Sequence, residues 1–237
     1  MKIHSITYGD SRFREQREFF RESALASSFF DEVKVFTHEN LDSHFQEKFH
    51  EILQFPRGGG YMIWKPYIVK HMLETIEDND ILIYCDAGCM INSLGKKRFD
   101  QYIDIVNESE TGTLAFQLSQ KEYEYTKREV FEYFRSSEEI INSGQLITTA
   151  FLFKKCAHAK LLIGKWFNTV LDDAWLFTDR KTPPQLNGFI DHRHDQSIFS
   201  IVLKTYGAEI LPDETYFQDF VREGNSFPFW AVRLGHT

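Results

Sequence analysis

The chain has 237 residues, of which 27 are basic and 35 are acidic, so its formal net charge is −8. This balance, without any basic stripe, argues against a nucleic-acid or anionic-membrane partner. The hydrophobic content of 42% is enough to bury a substantial core, and no linker, repeat or low-complexity tract divides the chain. We therefore expect one domain spanning residues 1–237.

Apolar runs suited to strands alternate with segments of helical periodicity along the chain. In chain order the prediction is strand Lys2–Tyr8, helix Ser11–Ser28, strand Glu32–Phe36, helix Leu41–Leu53, helix Tyr61–Ile76, strand Ile81–Tyr84, helix Leu94–Asn107, strand Thr113–Gln117, helix Tyr125–Phe134, strand Leu146–Phe153, helix Ala157–Leu171, helix Asp195–Tyr206 and strand Ala208–Leu211. This alternation predicts an α/β fold with a mostly parallel central sheet flanked by helices. Residues 176–193 are predicted to be a loop long enough to shape a site.

The cysteines and the N-terminus bear on the cellular compartment. Cys85, Cys89 and Cys156 are odd in number, which favours free thiols in a reducing compartment over a disulfide framework. The first two are too few for a structural zinc site. Met1–Thr7 lacks the apolar core of a signal peptide, and no segment approaches 18 apolar residues. We expect a cytoplasmic protein without a transmembrane segment.

The stretch 80–88 carries the most informative chemical signal. An apolar run suited to a buried strand leads to a lone carboxylate, Asp86, which is followed by two small residues, Ala87 and Gly88. Ligands of open α/β sheets bind beyond the carboxyl ends of strands, and small residues leave room beside the carboxylate. We predict that Asp86 contacts a nucleotide or a metal ion, and the alternative is a simple turn cap.

A glycine run, 58–60, precedes a predicted helix start that carries Trp64 and Lys65. The run is neither a Walker A loop nor a dinucleotide-binding fingerprint, because the required residues and spacing are missing. A lysine at a helix N-terminus is suited to a phosphate or a sugar hydroxyl. The alternative is a solvated lysine beside a packed tryptophan.

A polar cluster precedes the apolar run 198–203. A dinuclear metallohydrolase could use His192 and His194, but Gln196 stands where that motif needs another histidine. We predict instead that Asp195 lies at a helix start, either as a plain N-cap or as part of a polar group that handles hydroxyls in a pocket. Lys127 is a weaker candidate for an anion contact, because charged residues on a helix are usually solvated.

Taken together, residues 57–70, 80–88 and 192–199 resemble a group of small GT-A-type glycosyltransferases, the nucleotide-diphospho-sugar transferases of bacterial and viral glycan synthesis. The resemblance covers roughly residues 1–211 in order and spacing. It implies a Rossmann-like GT-A domain, with the donor nucleotide bound by its N-terminal part and the acceptor by its C-terminal part. It implies hexosyl or pentosyl transfer from a UDP-linked donor to a glycan or other hydroxyl acceptor.

The resemblance also implies roles for individual residues. Asp86 matches the first aspartate of an Asp-x-Asp motif that binds the donor and a divalent metal, Mn²⁺ or Mg²⁺, whereas Gly88 replaces the second and puts the metal in doubt. The implied donor-binding residues are Thr7, Tyr8, Asp10, Lys65, Asp86, Ala87 and Gly88. The implied sugar- or acceptor-binding residues are Lys127, His194 and Gln196. The implied metal ligands are Asp86 and His236, and the implied catalytic residue is Asp195.

The stereochemistry and two other functions stay open at this point. Asp195 would be the base of an inverting enzyme or a ligand of sugar hydroxyls in a retaining one, and the Asp-Gln pair, which resembles glycogenin-like enzymes, slightly favours retention. The incomplete Asp-x-Asp motif also suits a nucleotide-sugar-binding module that has lost catalysis. A metal-dependent hydrolase that binds two ions at His192 and His194 is the less favoured alternative.

Overall fold

The computed structural model describes residues 1–233 of the chain. Its strands are β1 (Ile3–Tyr8), β2 (Glu32–Phe36), β3 (Ile81–Cys85), β4 (Met90–Ile91), β5 (Thr113–Lys121), β6 (Gly144–Leu146), β7 (Ala150–Lys154), β8 (Glu209–Pro212) and β9 (Phe229–Trp230). Its helices are α1 (Arg14–Ser27), α2 (Ser43–Lys48), α3 (His50–Leu53), α4 (Gly58–Tyr61), α5 (Trp64–Thr75), α6 (Lys96–Glu108), α7 (Glu122–Tyr125), α8 (Arg128–Phe134), α9 (Glu138–Ile141), α10 (Ala157–Asp173) and α11 (Asp195–Tyr206).

The central sheet has the strand order β2-β1-β3-β7-β5-β6, and β8 pairs with β5. Strands β1, β2, β3, β5 and β8 run in one direction, whereas β6 and β7 run in the other. The predicted α/β fold with a mostly parallel sheet is therefore confirmed. A small antiparallel sheet of β4 and β9 lies apart from it and brings residues 229–230 beside the residues that follow β3.

Apolar layers cover both faces of the sheet. On one face, Leu82 and Tyr84 of β3 belong to a core that includes side chains of α5, α10 and α11. On the other face, Ile81 and Ile83 belong to a core that includes side chains of α1 and α6. Successive side chains of a strand point to opposite faces, so a strand buried on both faces must be apolar throughout.

Several predicted elements are interrupted. The predicted strand Leu146–Phe153 is divided into β6 and β7 by an irregular segment, 147–149, and the carbonyl of Thr149 accepts a hydrogen bond from the Asp86 amide at 2.8 Å. Two consecutive threonines favour a strand locally, so the sequence pattern did not reveal this break. The predicted helix Leu41–Leu53 is likewise divided into α2 and α3. Within residues 1–233, no helix combines the length and apolar character needed to cross a membrane.

Candidate functional site

A cavity of about 470 Å³ opens at the carboxyl ends of β1 and β3. The turn that joins α4 to α5 and the start of α11 form its other walls, and the segment between β6 and β7 closes its floor. This position fits the rule that ligands of α/β sheets bind beyond the strand ends. Nine of the predicted site residues line the cavity: Tyr8, Asp10, Lys65, Asp86, Ala87, Gly88, His194, Asp195 and Gln196.

A buried ammonium group joins the two carboxylates of the cavity. Lys65, which is 2% exposed, places its Nζ atom 2.7 Å from Asp195 Oδ2 and 3.1 Å from Asp86 Oδ1. Its third contact is the carbonyl oxygen of Thr148, at 3.3 Å. The three N–H donors of the ammonium therefore have three acceptors, which is what a buried charge requires. Burial alone would lower the pKa of Lys65, but the two carboxylates raise it above its ordinary value.

The two carboxylates differ in exposure. The side chain of Asp86 is 40% exposed and that of Asp195 only 2%. Asp86 Oδ1 also accepts a hydrogen bond from the Tyr84 hydroxyl at 2.7 Å. Enclosure within the cavity raises the pKa of Asp86; the Lys65 ammonium opposes this rise, and the charge of Asp195 adds to it. Asp86 thus presents its second oxygen to the cavity, whereas the carboxylate of Asp195 is buried against the Lys65 ammonium.

Asp195 is not the N-cap of α11. The N-cap residue is His194, whose side chain makes no capping hydrogen bond, and Asp195 is the first residue of the helix. The Asp195 carboxylate instead accepts a hydrogen bond from the Thr148 hydroxyl at 2.9 Å, besides its ion pair with Lys65. A plain capping role therefore does not describe Asp195. His194 has φ 53° and ψ −117°, a conformation that costs a non-glycine residue about 1–3 kcal/mol and is typical of functional sites.

An aromatic pair forms another wall of the cavity. The rings of Tyr8 and Trp64 are stacked with their centroids 3.7 Å apart, and the Trp64 indole donates to the carbonyl of Gly58 at 2.8 Å. All residues from 58 to 62 have positive φ, so the turn before α5 is left-handed. Glycine is needed at Gly60 in particular, because a Cβ atom there would lie 2.8 Å from the Cα atom of Leu53.

Comparison with solved structures agrees with this topology. The structure is similar to that of a glycosyltransferase involved in the glycosylation of the major capsid of PBCV-1, with 9% sequence identity, coverage of 100% of this chain and 96% of that chain, and a TM-score of 0.53. The chain has a GT-A fold. The same comparison finds the galactosyltransferase LgtC in complex with donor and acceptor sugar analogs (10% identity, coverage 94% and 83%, TM-score 0.48) and mouse xyloside xylosyltransferase 1 (9% identity, coverage 100% and 99%, TM-score 0.49). At the level of sequence, neither a family model nor a curated protein matches the chain.

Within this GT-A fold, two predicted site residues lie away from the cavity. The side chain of Thr7 is fully buried in β1. Lys127 is 1% exposed, and its Nζ atom donates to the carbonyl oxygens of Trp175, Thr178 and Arg180. Burial lowers the pKa of Lys127 to about 8. Lys127 therefore anchors the loop that follows α10 and is not placed to contact a sugar. The predicted metal ligand His236 lies outside the described residues.

The rings of His192 and His194 form hydrogen bonds within the protein. His192 Nδ1 accepts from the backbone N–H of Lys127 at 3.4 Å, and its Nε2 lies 2.9 Å from the carbonyl oxygen of Leu176. Burial and the nearby Lys127 charge hold the pKa of His192 well below its ordinary value. His194 Nε2 lies 3.0 Å from Asp179 Oδ1. His192 therefore has no ring nitrogen left for a metal, and residues 1–233 contain no group of three His, Cys, Asp or Glu arranged to hold one.

Sequence reasoning assigned no role to five polar residues that line the cavity: Arg57, Thr148, Thr149, Arg193 and Arg233. The threonines reach the cavity because the predicted strand is broken between β6 and β7. Arg193 and Arg233 bring positive charge, whereas Arg57 is paired with Asp179 and Asp191. The guanidinium of Arg193 lies over the ring of Tyr125, 3.7 Å from its centroid. The only sequence feature that pointed to any of these five residues was the position of Arg193 between His192 and His194.

Proposed function

We propose that the chain is a glycosyltransferase that moves a sugar from a UDP-linked donor to a hydroxyl group of a glycan or glycoconjugate. One observation carries the proposal: the carboxylates of Asp86 and Asp195 come from different elements and meet at the buried ammonium of Lys65, inside the cavity. Its volume, about 470 Å³, lies within the range of roughly 300–1,000 Å³ that is usual for small-molecule sites.

The side chains that line the cavity suit the parts of such a donor. The stacked rings of Tyr8 and Trp64, with Asp10 beside them, provide a wall for the nucleoside. Arg193 and Arg233 provide positive charge for the diphosphate, whose negative charge rises when the sugar leaves. The donor sugar then lies beside the start of α11, where the side chains are polar.

The contacts of Asp195 favour a retaining reaction. The Oδ2 atom of Asp195 already accepts hydrogen bonds from the Lys65 ammonium and the Thr148 hydroxyl, so it is occupied by the protein and does not face an acceptor hydroxyl. We therefore assign Asp195 and Gln196 to the hydroxyl groups and developing positive charge of the donor sugar. In this route the leaving phosphate takes the proton of the acceptor hydroxyl.

The residues present fit a divalent cation that is held mainly by the donor. Asp86 has one oxygen directed into the cavity, and Gly88 supplies no side chain. Mg²⁺ and Mn²⁺ are suited to one carboxylate together with phosphate oxygens and water, and the ion would supply charge for the leaving diphosphate. We expect Mn²⁺ to bind weakly alone and much more tightly with UDP. Equal Mn²⁺ affinities, or full activity in excess EDTA, would contradict a metal in the mechanism.

The test of the donor site is calorimetric titration with UDP- and GDP-sugars, beside a thermal-shift screen with and without Mn²⁺. Asp86→Ala should weaken donor binding severely and leave the fold intact, whereas Asp100→Ala, in an exposed pair with Lys96, is the matched control. Unchanged affinity of Asp86→Ala for every nucleotide sugar would refute the assignment.

A second candidate is a nucleotide-sugar-binding module without catalysis, and Gly88 in place of the second aspartate favours it. Turnover separates the two proposals, because both predict donor binding. Transfer or hydrolysis of a UDP-sugar would exclude the binding module, whereas tight binding without either reaction would support it. NMR of the product then distinguishes retention from inversion at the anomeric carbon.

A further inference from the structure

A buried carboxylate, Glu122, lies behind the cavity and does not line it. Glu122 is the first residue of α7 and is 0% exposed. Its Oε1 atom accepts from the Lys204 ammonium at 2.7 Å and from the Ser200 hydroxyl, and its Oε2 atom accepts from the Thr126 hydroxyl at 2.8 Å. A carboxylate can only accept hydrogen bonds, so every polar group around Glu122 must present a donor.

Glu122 fixes the orientation of a buried amide, that of Gln145 in β6. Gln145 Nε2 lies 3.1 Å from Glu122 Oε2 and 3.4 Å from the carbonyl oxygen of Tyr125, and both of these atoms can only accept. The NH₂ group of Gln145 must therefore face Glu122, and its Oε1 atom must face the opposite way. The side chain is 0% exposed, so water does not relax this constraint.

The opposite side of Gln145 contacts two side chains that line the cavity. Its Oε1 atom accepts from Gln196 Nε2 at 2.6 Å and from Arg193 Nη1 at 3.5 Å. The amide of Gln196 is thereby oriented in turn, with its Oε1 atom 3.4 Å from the backbone nitrogen of Thr148. The buried charge of Glu122, together with the more distant Tyr125 carbonyl, thus decides which hydrogen-bonding atoms Gln196 can present to a ligand.

We propose that Glu122 is a positioning residue that acts through Gln145 to orient Gln196 and to hold Arg193 in the cavity. The proposal rests on the proposed function, in which Gln196 binds the donor sugar and Arg193 the diphosphate. Lys204 balances the charge of Glu122 at a distance from the reacting atoms. The pair therefore adds no net charge to the cavity and contributes orientation only.

Glu122→Gln keeps the shape of the side chain and places one donor where an acceptor stood. With its new NH₂ group toward Gln145, two NH₂ groups face each other. With that group toward Lys204, an NH₂ group faces an ammonium. If Gln145 turns over instead, its own NH₂ group faces the donors of Gln196 and Arg193. Every arrangement leaves one opposed pair of donors, so the orientation of Gln196 is no longer unique.

The double variant Glu122→Gln with Gln145→Glu restores the donor and acceptor pattern toward Lys204, Gln196 and Arg193, and leaves one contact between two acceptors, the new carboxylate and the Tyr125 carbonyl oxygen. The new amide at position 122 then accepts from Lys204 and donates to the new carboxylate at position 145, which in turn accepts from Gln196 and Arg193. We expect Glu122→Gln to lower kcat by about 10–100-fold, as is typical for a group that orients a functional side chain. UDP affinity should fall by a smaller factor, because Arg193 keeps its contact with the Tyr125 ring when its contact with Gln145 is lost. The double variant should recover part of the lost kcat. Ser200→Ala removes one donor to Glu122 and the acceptor of the Leu146 N–H, but it opposes no two donors, so it should lower the melting temperature and leave kcat unchanged.

Side-chain amide resonances in ¹⁵N NMR spectra test the orientation independently of turnover. In Glu122→Gln, the Gln196 NH₂ resonances should shift or broaden, and in the double variant they should return toward their wild-type positions. An unchanged Gln196 amide in Glu122→Gln, or a kcat loss that the double variant does not reverse, would overturn the proposal. Should the resonances behave as expected while the wild type turns over no nucleotide sugar, the proposed function fails and the orienting role of Glu122 stands.

Discussion

Replacement of Asp195 by asparagine tests the role of the ion pair directly. The substitution keeps the size of the side chain and removes one of the two negative charges around Lys65. If Asp195 stabilises the positive charge that develops on the donor sugar, Asp195→Asn should reduce turnover by about 10²–10⁴-fold. This corresponds to about 2.7–5.4 kcal/mol of activation free energy. Affinity for UDP should change much less, because the proposed nucleoside wall is formed by other residues.

The structure also bounds the loss of stability in this variant. Removing one partner of a buried ion pair costs about 3–5 kcal/mol when the other charge is left alone. Lys65 retains Asp86 at 3.1 Å and the Thr148 carbonyl at 3.3 Å, and the asparagine oxygen can still accept from it. We therefore expect a smaller loss, about 1–3 kcal/mol of unfolding free energy, which lowers the melting temperature by several degrees.

The assay compares kcat, KM for the donor and melting curves of the wild type and Asp195→Asn at a temperature where both are folded. Asp100→Asn is the matched control, because Asp100 forms a half-exposed pair with Lys96 on α6. Such surface pairs contribute about 0–1 kcal/mol, so this variant should retain turnover and stability. Near-normal turnover of Asp195→Asn would refute a catalytic role. Asp195 would then serve only as the ion-pair partner of Lys65.

Three further predictions concern stability. Gly60→Ala should lower the free energy of unfolding, measured in urea, by about 1–3 kcal/mol, because φ is +93° and the new methyl group would clash with the backbone of Leu53. The control is Gly164→Ala in α10, which should raise the free energy of unfolding slightly, because a Cβ atom there has no neighbour within 4 Å. Lys127→Met should cost about 2–5 kcal/mol in the same assay because three carbonyl oxygens lose their donor, and a loss no larger than that of exposed Lys160→Met would contradict this. The third prediction is a pH dependence. Because the pKa of His192 is held well below the ordinary value of 6.5, the unfolded state binds more protons, and the stability that the neutral ring provides should be lost as the pH falls below 6.5. Urea titrations of the wild type and His192→Asn between about pH 7.5 and pH 5 check this, and equal slopes for the two proteins would contradict it.

The sequence by itself determined the elements whose pattern is local. The apolar run Ile81–Tyr84 suits a strand buried on both faces, and the carboxylate shortly after it is therefore expected at the sheet edge where ligands bind. The order of strands and helices predicted the α/β fold with a mostly parallel sheet in the same way, and the resemblance of three segments to known glycosyltransferases implied the GT-A fold. These inferences are possible because hydrophobic periodicity and the ends of strands depend on residues that are adjacent in the sequence.

Only the tertiary structure decided what each charged side chain does. Lys65 and Asp195 lie far apart in the printed sequence, and their ion pair exists because α5 and α11 meet at the end of β3. Lys127 was predicted to reach a ligand, whereas the fold surrounds its ammonium with backbone carbonyls. The sequence shows that a lysine is present but not what its ammonium contacts. Whether the ammonium contacts solvent, a carboxylate or a carbonyl oxygen depends on segments distant in the chain. The break at 147–149 has the same origin, since the Asp86 amide that bonds to Thr149 comes from another segment of the chain.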